Sequence, residues 1–220
     1  MKLKLISHVF RAIVTTVVFA LLTSTAFAKH KMHKVYKDEG ALPIVVMAPA
    51  FVPTWYVEGN VGVSRVHDKK AVGSTTNSVT QTGPGWSADA GYQFYNCHNF
   101  LFAGELGYTN YHDSTENAGT TNVATTEHFS SHLAARVTYP LGYHFSVLGK
   151  LGVAYSYAKK IFTATGASAS ANVYSPYYGL GLSYNVSQRA ALVGQWARAR
   201  GNGKTGSTDL YSLGVLIALS

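Results

Sequence analysis

The residues best placed to do chemistry are the run Glu127-His128-Phe129-Ser130. A serine becomes a nucleophile when a base lies within hydrogen-bond reach and a third group orients that base. On an extended strand His128 and Ser130 share one face, with Glu127 nearby in sequence. The same register turns Ser130 inward, so strand-end capping and solvation are the expected use. A second set is ionic. Glu58, Asp89, Glu105, Arg136 and Lys150, with His132 among them, fall on faces otherwise made mostly of Gly, Ala and Ser. Charges in such a place cost several kcal/mol each unless they pair across the space they share.

The remaining reactive side chains form no centre. Cys97 is the single cysteine, beside His98, which excludes a disulfide scaffold and a multi-cysteine zinc module. His30 and His33 sit in a basic leader with Lys29, Lys31, Lys34 and Lys37, two imidazoles without a third ligand. No phosphate-cradling glycine loop, open carboxylate pair or metal-ligand cluster stands out, so no catalytic residue, metal or cofactor is assigned. The basic residues make no stripe interleaved with exposed aromatics, which argues against nucleic acid as a partner.

The elements that hold these groups are legible from composition and spacing. Charged residues are 13% of the 220, against about 25% in an average soluble domain, while 47% are apolar. Lys2, Lys4 and Arg11, the run Ala12 to Leu22, and Ala26-Phe27-Ala28 make the basic, apolar and small-residue regions of a secretory signal peptide. Its removal leaves 15 basic against 10 acidic residues, a net +5, mostly in the leader. The expected organisation is therefore signal peptide 1–28, a periplasmic segment and linker 29–54, and one domain over 55–220.

From Trp55 onward the chain alternates with period two in eight segments of about ten residues. Trp55, Val57, Gly59, Val61 and Val63 oppose Tyr56, Glu58, Asn60, Gly62 and Ser64, and the last segment sets Tyr211, Leu213, Val215, Ile217 and Leu219 against Ser212, Gly214, Leu216 and Ala218. The apolar faces carry aromatics near their ends. Trp55, Phe94, Phe102, Tyr139, Phe145 and Tyr184 would mark one membrane boundary; Trp86, Tyr108, Phe129, Tyr155, Tyr178, Trp196 and Tyr211 would mark the other. Links 95–99, 140–144 and 185–189 are short, whereas 67–84, 110–127, 158–173 and 200–208 are long and polar. Outer-membrane barrels alternate in this way, with periplasmic turns short and external loops long, which places both termini in the periplasm. The predicted fold is all-β: an eight-stranded antiparallel transmembrane β-barrel.

The segments Trp55-Tyr56-Val57-Glu58-Gly59-Asn60-Val61-Gly62, Phe102-Ala103-Gly104-Glu105-Leu106-Gly107-Tyr108 and Val147-Leu148-Gly149-Lys150-Leu151-Gly152-Val153 resemble strands of small outer-membrane barrels. The resemblance, across roughly 55–220, is to the OmpA-like transmembrane domain and the related OmpX and opacity-type barrels. It implies a bacterial outer-membrane location, contact with lipid and lipopolysaccharide, and assembly by the barrel-insertion machinery. The family's last strands usually finish on an aromatic residue, where this sequence has Leu219-Ser220. The implied role is structural or adhesive, through four extracellular loops that meet an extracellular ligand. The resemblance also allows a narrow, gated channel of low conductance. The His-x-Ser fragment at 128–130 is similar to that of the lipid A deacylases, but neither the following Asn nor a second motif of that family is present.

Overall fold

Alternation of apolar with small or polar side chains gives each long segment one face for a hydrophobic surround and one for a crowded interior. A computed structural model describes residues 52–67, 78–142 and 144–219. The expected signal peptide and nearly all of the 29–54 segment lie outside them. The strands are β1 Thr54–His67, β2 Ser78–Thr80, β3 Thr82–Cys97, β4 Phe100–Asn110 and β5 Ser114–Ala118. They continue with β6 Thr121–Pro140, β7 Phe145–Phe162, β8 Ser168–Asn185, β9 Ala190–Ala199 and β10 Ser207–Leu219. All pairings are antiparallel. The cycle β1-β3-β4-β6-β7-β8-β9-β10 closes where β10 meets β1, from Trp55 opposite Leu219 to His67 opposite Ser207. The result is an eight-stranded barrel, and β2 and β5 are additions at one end.

The outer surface is oily. Val61, Leu106, Leu133, Leu151, Leu180 and Leu213 are 63–73% exposed. Soluble proteins rarely leave so continuous an apolar surface in water, so this band is built for hydrocarbon. The inner face is its complement, with Tyr56, Glu58, Asn60, Ser64, Ser87 and Asp89 all buried on β1 and β3.

Three details differ from the sequence expectation. The span 110–127 is not a loop: β5 and the start of β6 form a hairpin, turned at Gly119 with φ of 63°. Likewise 158–173 is mostly strand, since β7 runs to Phe162 and β8 starts at Ser168, with Gly166 at φ 65° in the turn. Thr, Ser and Ala alternate here without an apolar face, so nothing in their polarity separates strand from loop. The short link 95–99 shrinks to His98-Asn99, both at positive φ (49° and 70°), the geometry of a two-residue hairpin turn. A bulge accompanies it: Gln93 pairs with Ala103 and Tyr95 with Phe102, leaving Phe94 unpaired, so Phe94 and Tyr95 both face outward.

The outer band generates a direct test. Leu133→Arg, four residues from Phe129 and six from Tyr139, should destabilise the barrel in lipid vesicles by about 2–4 kcal/mol, read from urea titrations, with Leu133→Ala costing far less. Equal stability of Arg and Ala variants would remove this face from hydrocarbon.

Candidate functional site

The ionic side chains meet because register puts them there. Glu58 on β1 pairs with Asp89 on β3, Asp89 with Gly107 on β4, and Gly107 with His132 on β6. Glu105 lies two residues along β4 from Gly107 and so points to the same side. Arg136 on β6 pairs with Lys150 on β7. All six are at most 5% exposed.

Each cation is shared between two carboxylates. Arg136 Nη1 donates to Glu58 Oε2 at 2.5 Å and to Glu105 Oε2 at 3.3 Å. Lys150 Nζ lies 2.7 Å from Glu105 Oε1 and 3.5 Å from Glu58 Oε1. Neutral groups complete the set. Tyr56 donates its hydroxyl to Glu105 Oε2 at 2.9 Å, and its ring lies beneath the Arg136 guanidinium, 5.3 Å from the centroid. Gln195 Nε2 donates to Glu58 Oε1 at 2.9 Å. Directly opposed carboxylates on neighbouring strands repel. Asn60 relieves this at Glu58 and Asp89, with its amide nitrogen 3.0 Å from Glu58 Oε1 and 3.2 Å from Asp89 Oδ2.

His132 closes the other side. Its ring stacks on Tyr177 at 4.0 Å and 12°, and Nε2 lies 3.2 Å from Asp89 Oδ1 and 3.6 Å from Glu105 Oε1. Asp89, Glu105 and His132 thereby offer three ligand atoms within 4.8 Å of one another, a grouping that strand-by-strand reading did not assemble. Tyr177 escaped notice because it precedes outward-facing Tyr178 in an unbroken aromatic pair. Asn60, Ser87 and Gln195 were legible as inward but carried no charge to single them out.

In the serine run, His128 and Ser130 are both buried. The Ser130 hydroxyl meets that of Tyr111 at 2.9 Å. His128 Nε2 lies 3.4 Å from Ser114 Oγ. Cys97 Sγ contacts His98 Nδ1 at 3.1 Å in the turn. Nearby, at the same end as Ser130, burial and the neighbouring Glu127 charge raise the Asp113 carboxyl above its ordinary value.

The outward aromatics pair across strands near both ends of the barrel. Toward β5 are Trp86 with Tyr108 (5.6 Å), Tyr108 with Phe129 (5.7 Å), Tyr155 with Tyr174 (5.1 Å), and Tyr178 with Trp196 (5.8 Å), beside Tyr211. Toward the short turns are Trp55 with Tyr92 (4.8 Å), Tyr95 with Phe102 (5.9 Å), Phe100 with Tyr139 (4.7 Å), and Phe145 with Tyr184 (5.1 Å). Tyr92, Tyr95, Phe100 and Tyr174 extend the expected set. Phe94 is the bulge residue.

A closed barrel, apolar outside and ionic within, is the architecture of a bacterial outer-membrane β-barrel protein. The chain belongs to the OmpA-like transmembrane domain family, whose model matches residues 51–214. No curated protein matches it. Among solved structures it is similar to Ail, the attachment invasion locus protein of Yersinia pestis (17% identity, TM-score 0.54, covering 76% of this chain and 98% of Ail). Ail in complex with the heparin analogue sucrose octasulfate matches equally (16%, 0.54, 77% and 100%). The N-terminal barrel of Pseudomonas aeruginosa OprF is a more distant match (15%, 0.48, 74% and 97%).

Shared cations make a specific prediction about energy. Arg136→Met leaves two carboxylates short of a partner and should cost about 3–5 kcal/mol in urea unfolding of the micelle-embedded barrel. Adding Glu58→Gln should recover much of that loss. If the double variant is no better than the single one, the pairing is not what holds these groups.

Proposed function

We propose that this protein is a surface-interaction barrel of the outer membrane, non-enzymatic, with both termini periplasmic and the β2/β5 end extracellular. The two aromatic belts would then sit at the membrane boundaries, and lipopolysaccharide would surround the outer one. The observation that carries this reading is the sheet standing beyond the outer belt. There β7 and β8 stay paired to Ile161 opposite Ser168, whereas β9 pairs with β8 only over Tyr177–Asn185. Residues 168–175 of β8 therefore have one edge without a strand among the described residues. Such an edge accepts an extended segment of another protein by backbone hydrogen bonding. The complex of Ail with a heparin analogue supplies a competing ligand class, a sulfated glycan, for which exposed Arg200 and Lys204 on the β9–β10 loop would be the cations here.

A narrow gated channel is the second reading. It is supported by Lys150 lying between Glu58 and Glu105, so that a shift of its side chain exchanges one carboxylate for the other.

Three measurements decide. Protease added to intact cells should cut only in the four connections at the β2/β5 end, and cutting confined to the short turns would reverse the orientation. Asn172→Pro should weaken attachment of expressing cells to protein-coated surfaces several-fold, with Arg200→Ser/Lys204→Ser neutral. The reverse pattern, against a sulfated-glycan surface, would replace the edge by the loop cations. Reproducible conductance steps in planar bilayers that change with Lys150→Gln, with attachment unaffected, would establish the channel instead.

A further inference from the structure

The region around Gly107 holds more than an ion-pair network requires. Asp89, Gly107 and His132 form one row across β3, β4 and β6, and both side chains lean over the glycine between them. A Cβ at position 107 would run into Asp89 Oδ1 and the His132 ring, so this convergence exists only because the residue is glycine. Glu105 adds a third donor from the same strand as the glycine. His132 Nδ1 and Nε2 and Asp89 Oδ1 are fully buried without a hydrogen-bond partner, although Nε2 lies 3.2 Å from Asp89 Oδ1 and 3.6 Å from Glu105 Oε1. The atoms are close but not aimed as donor and acceptor.

The two separations from His132, 3.2 and 3.6 Å, match edges of a coordination polyhedron, and the two carboxylate oxygens, within 4.8 Å of each other, close its third side as the ion draws them in. Ligands about 2.0–2.2 Å from a tetrahedral zinc ion stand roughly 3.3–3.6 Å apart. One imidazole nitrogen with two carboxylate oxygens is a donor set suited to a first-row divalent ion. Stacking on Tyr177 fixes the plane of the imidazole, as supporting contacts do for metal-bound histidines. We infer that Asp89, Glu105 and His132 form a binding site for a zinc-sized divalent cation inside the barrel, with Gly107 as its floor.

Charge decides the competitor. With His132 neutral, as coordination of a metal requires, Glu58, Asp89 and Glu105 against Arg136 and Lys150 leave one negative charge uncompensated. A divalent ion overshoots that by one, and Lys150 Nζ, 2.7 Å from Glu105 Oε1, is the cation it must push aside. Removing Lys150 should therefore tighten the site, while removing His132 should abolish it. A purely structural ion network has no reason to respond to metal in these opposite directions.

The test uses the barrel refolded in detergent micelles with zinc, dialysed against metal-free buffer and assayed by elemental analysis and chelator competition. Far-UV circular dichroism verifies that each variant is folded. Wild type should retain about one zinc per chain. His132→Gln should lose it, and Lys150→Gln should bind about tenfold or more tightly. Failure of both wild type and Lys150→Gln to retain zinc would overturn the inference. Zinc retained equally by His132→Gln would place the metal elsewhere and overturn it too.

Discussion

Hydrocarbon offers a backbone amide no hydrogen-bond partner, so every peptide group crossing it must be satisfied by another strand. That constraint forces the ladder from Trp55 opposite Leu219 to His67 opposite Ser207, which closes β1 on β10 and leaves no edge in the lipid. Closure at eight strands then fixes the width of the interior at what side chains can fill. Large inward groups are admitted only where the opposing wall is small. Gly91 lies against the Tyr56 ring, just as Gly107 lies beneath Asp89 and His132.

In so narrow a space the ionic groups cannot be solvated, and their arrangement follows from that. Neither cation belongs to one carboxylate: Arg136 and Lys150 each contact both Glu58 and Glu105. Sharing lowers the cost of burying three acids with two bases. It also leaves Asp89 without either of the two permanent cations, its carboxylate facing Asn60, Ser87 and His132 and bracketed in register by Glu58 and Gly107. The ion-pair network and the proposed cation site are thus two consequences of one charge balance.

The membrane-spanning part was legible in the sequence because two solvents act on it. Between Trp55 and Val63, or Phe145 and Tyr155, lipid selects one face and the crowded interior the other, so alternation is written into residue type. Beyond the outer aromatics that contrast ends, and residues 121–127 and 168–173 carry Thr, Ser, Ala and Asn on both faces. They form strands without announcing it. The bulge at Phe94 was hidden for another reason, since an extra aromatic residue leaves the outward face apolar whichever way the pairing slips. The inward charges were readable one strand at a time. Their grouping was not, because it depends on which residue of each strand stands opposite which of the next.

The same loss of contrast bears on where recognition can evolve. Within the lipid a strand must keep an apolar face and a fully paired backbone, so its sequence has little freedom to encode a partner. Residues 168–173, beyond the Tyr155–Tyr174 pair of the aromatic belt, are under neither constraint. They also lack the devices by which exposed edges are usually blunted: Ser168-Ala169-Ser170-Ala171-Asn172-Val173-Tyr174-Ser175 contains no charge, and Pro176 comes only where pairing with β9 is about to begin. An uncharged edge held in place by a rigid barrel offers backbone groups that no strand among the described residues pairs, at low ordering cost. Backbone hydrogen bonds are indifferent to side chains, so any discrimination must come from the alternate positions that flank them, among which Tyr174 is the largest and is 75% exposed.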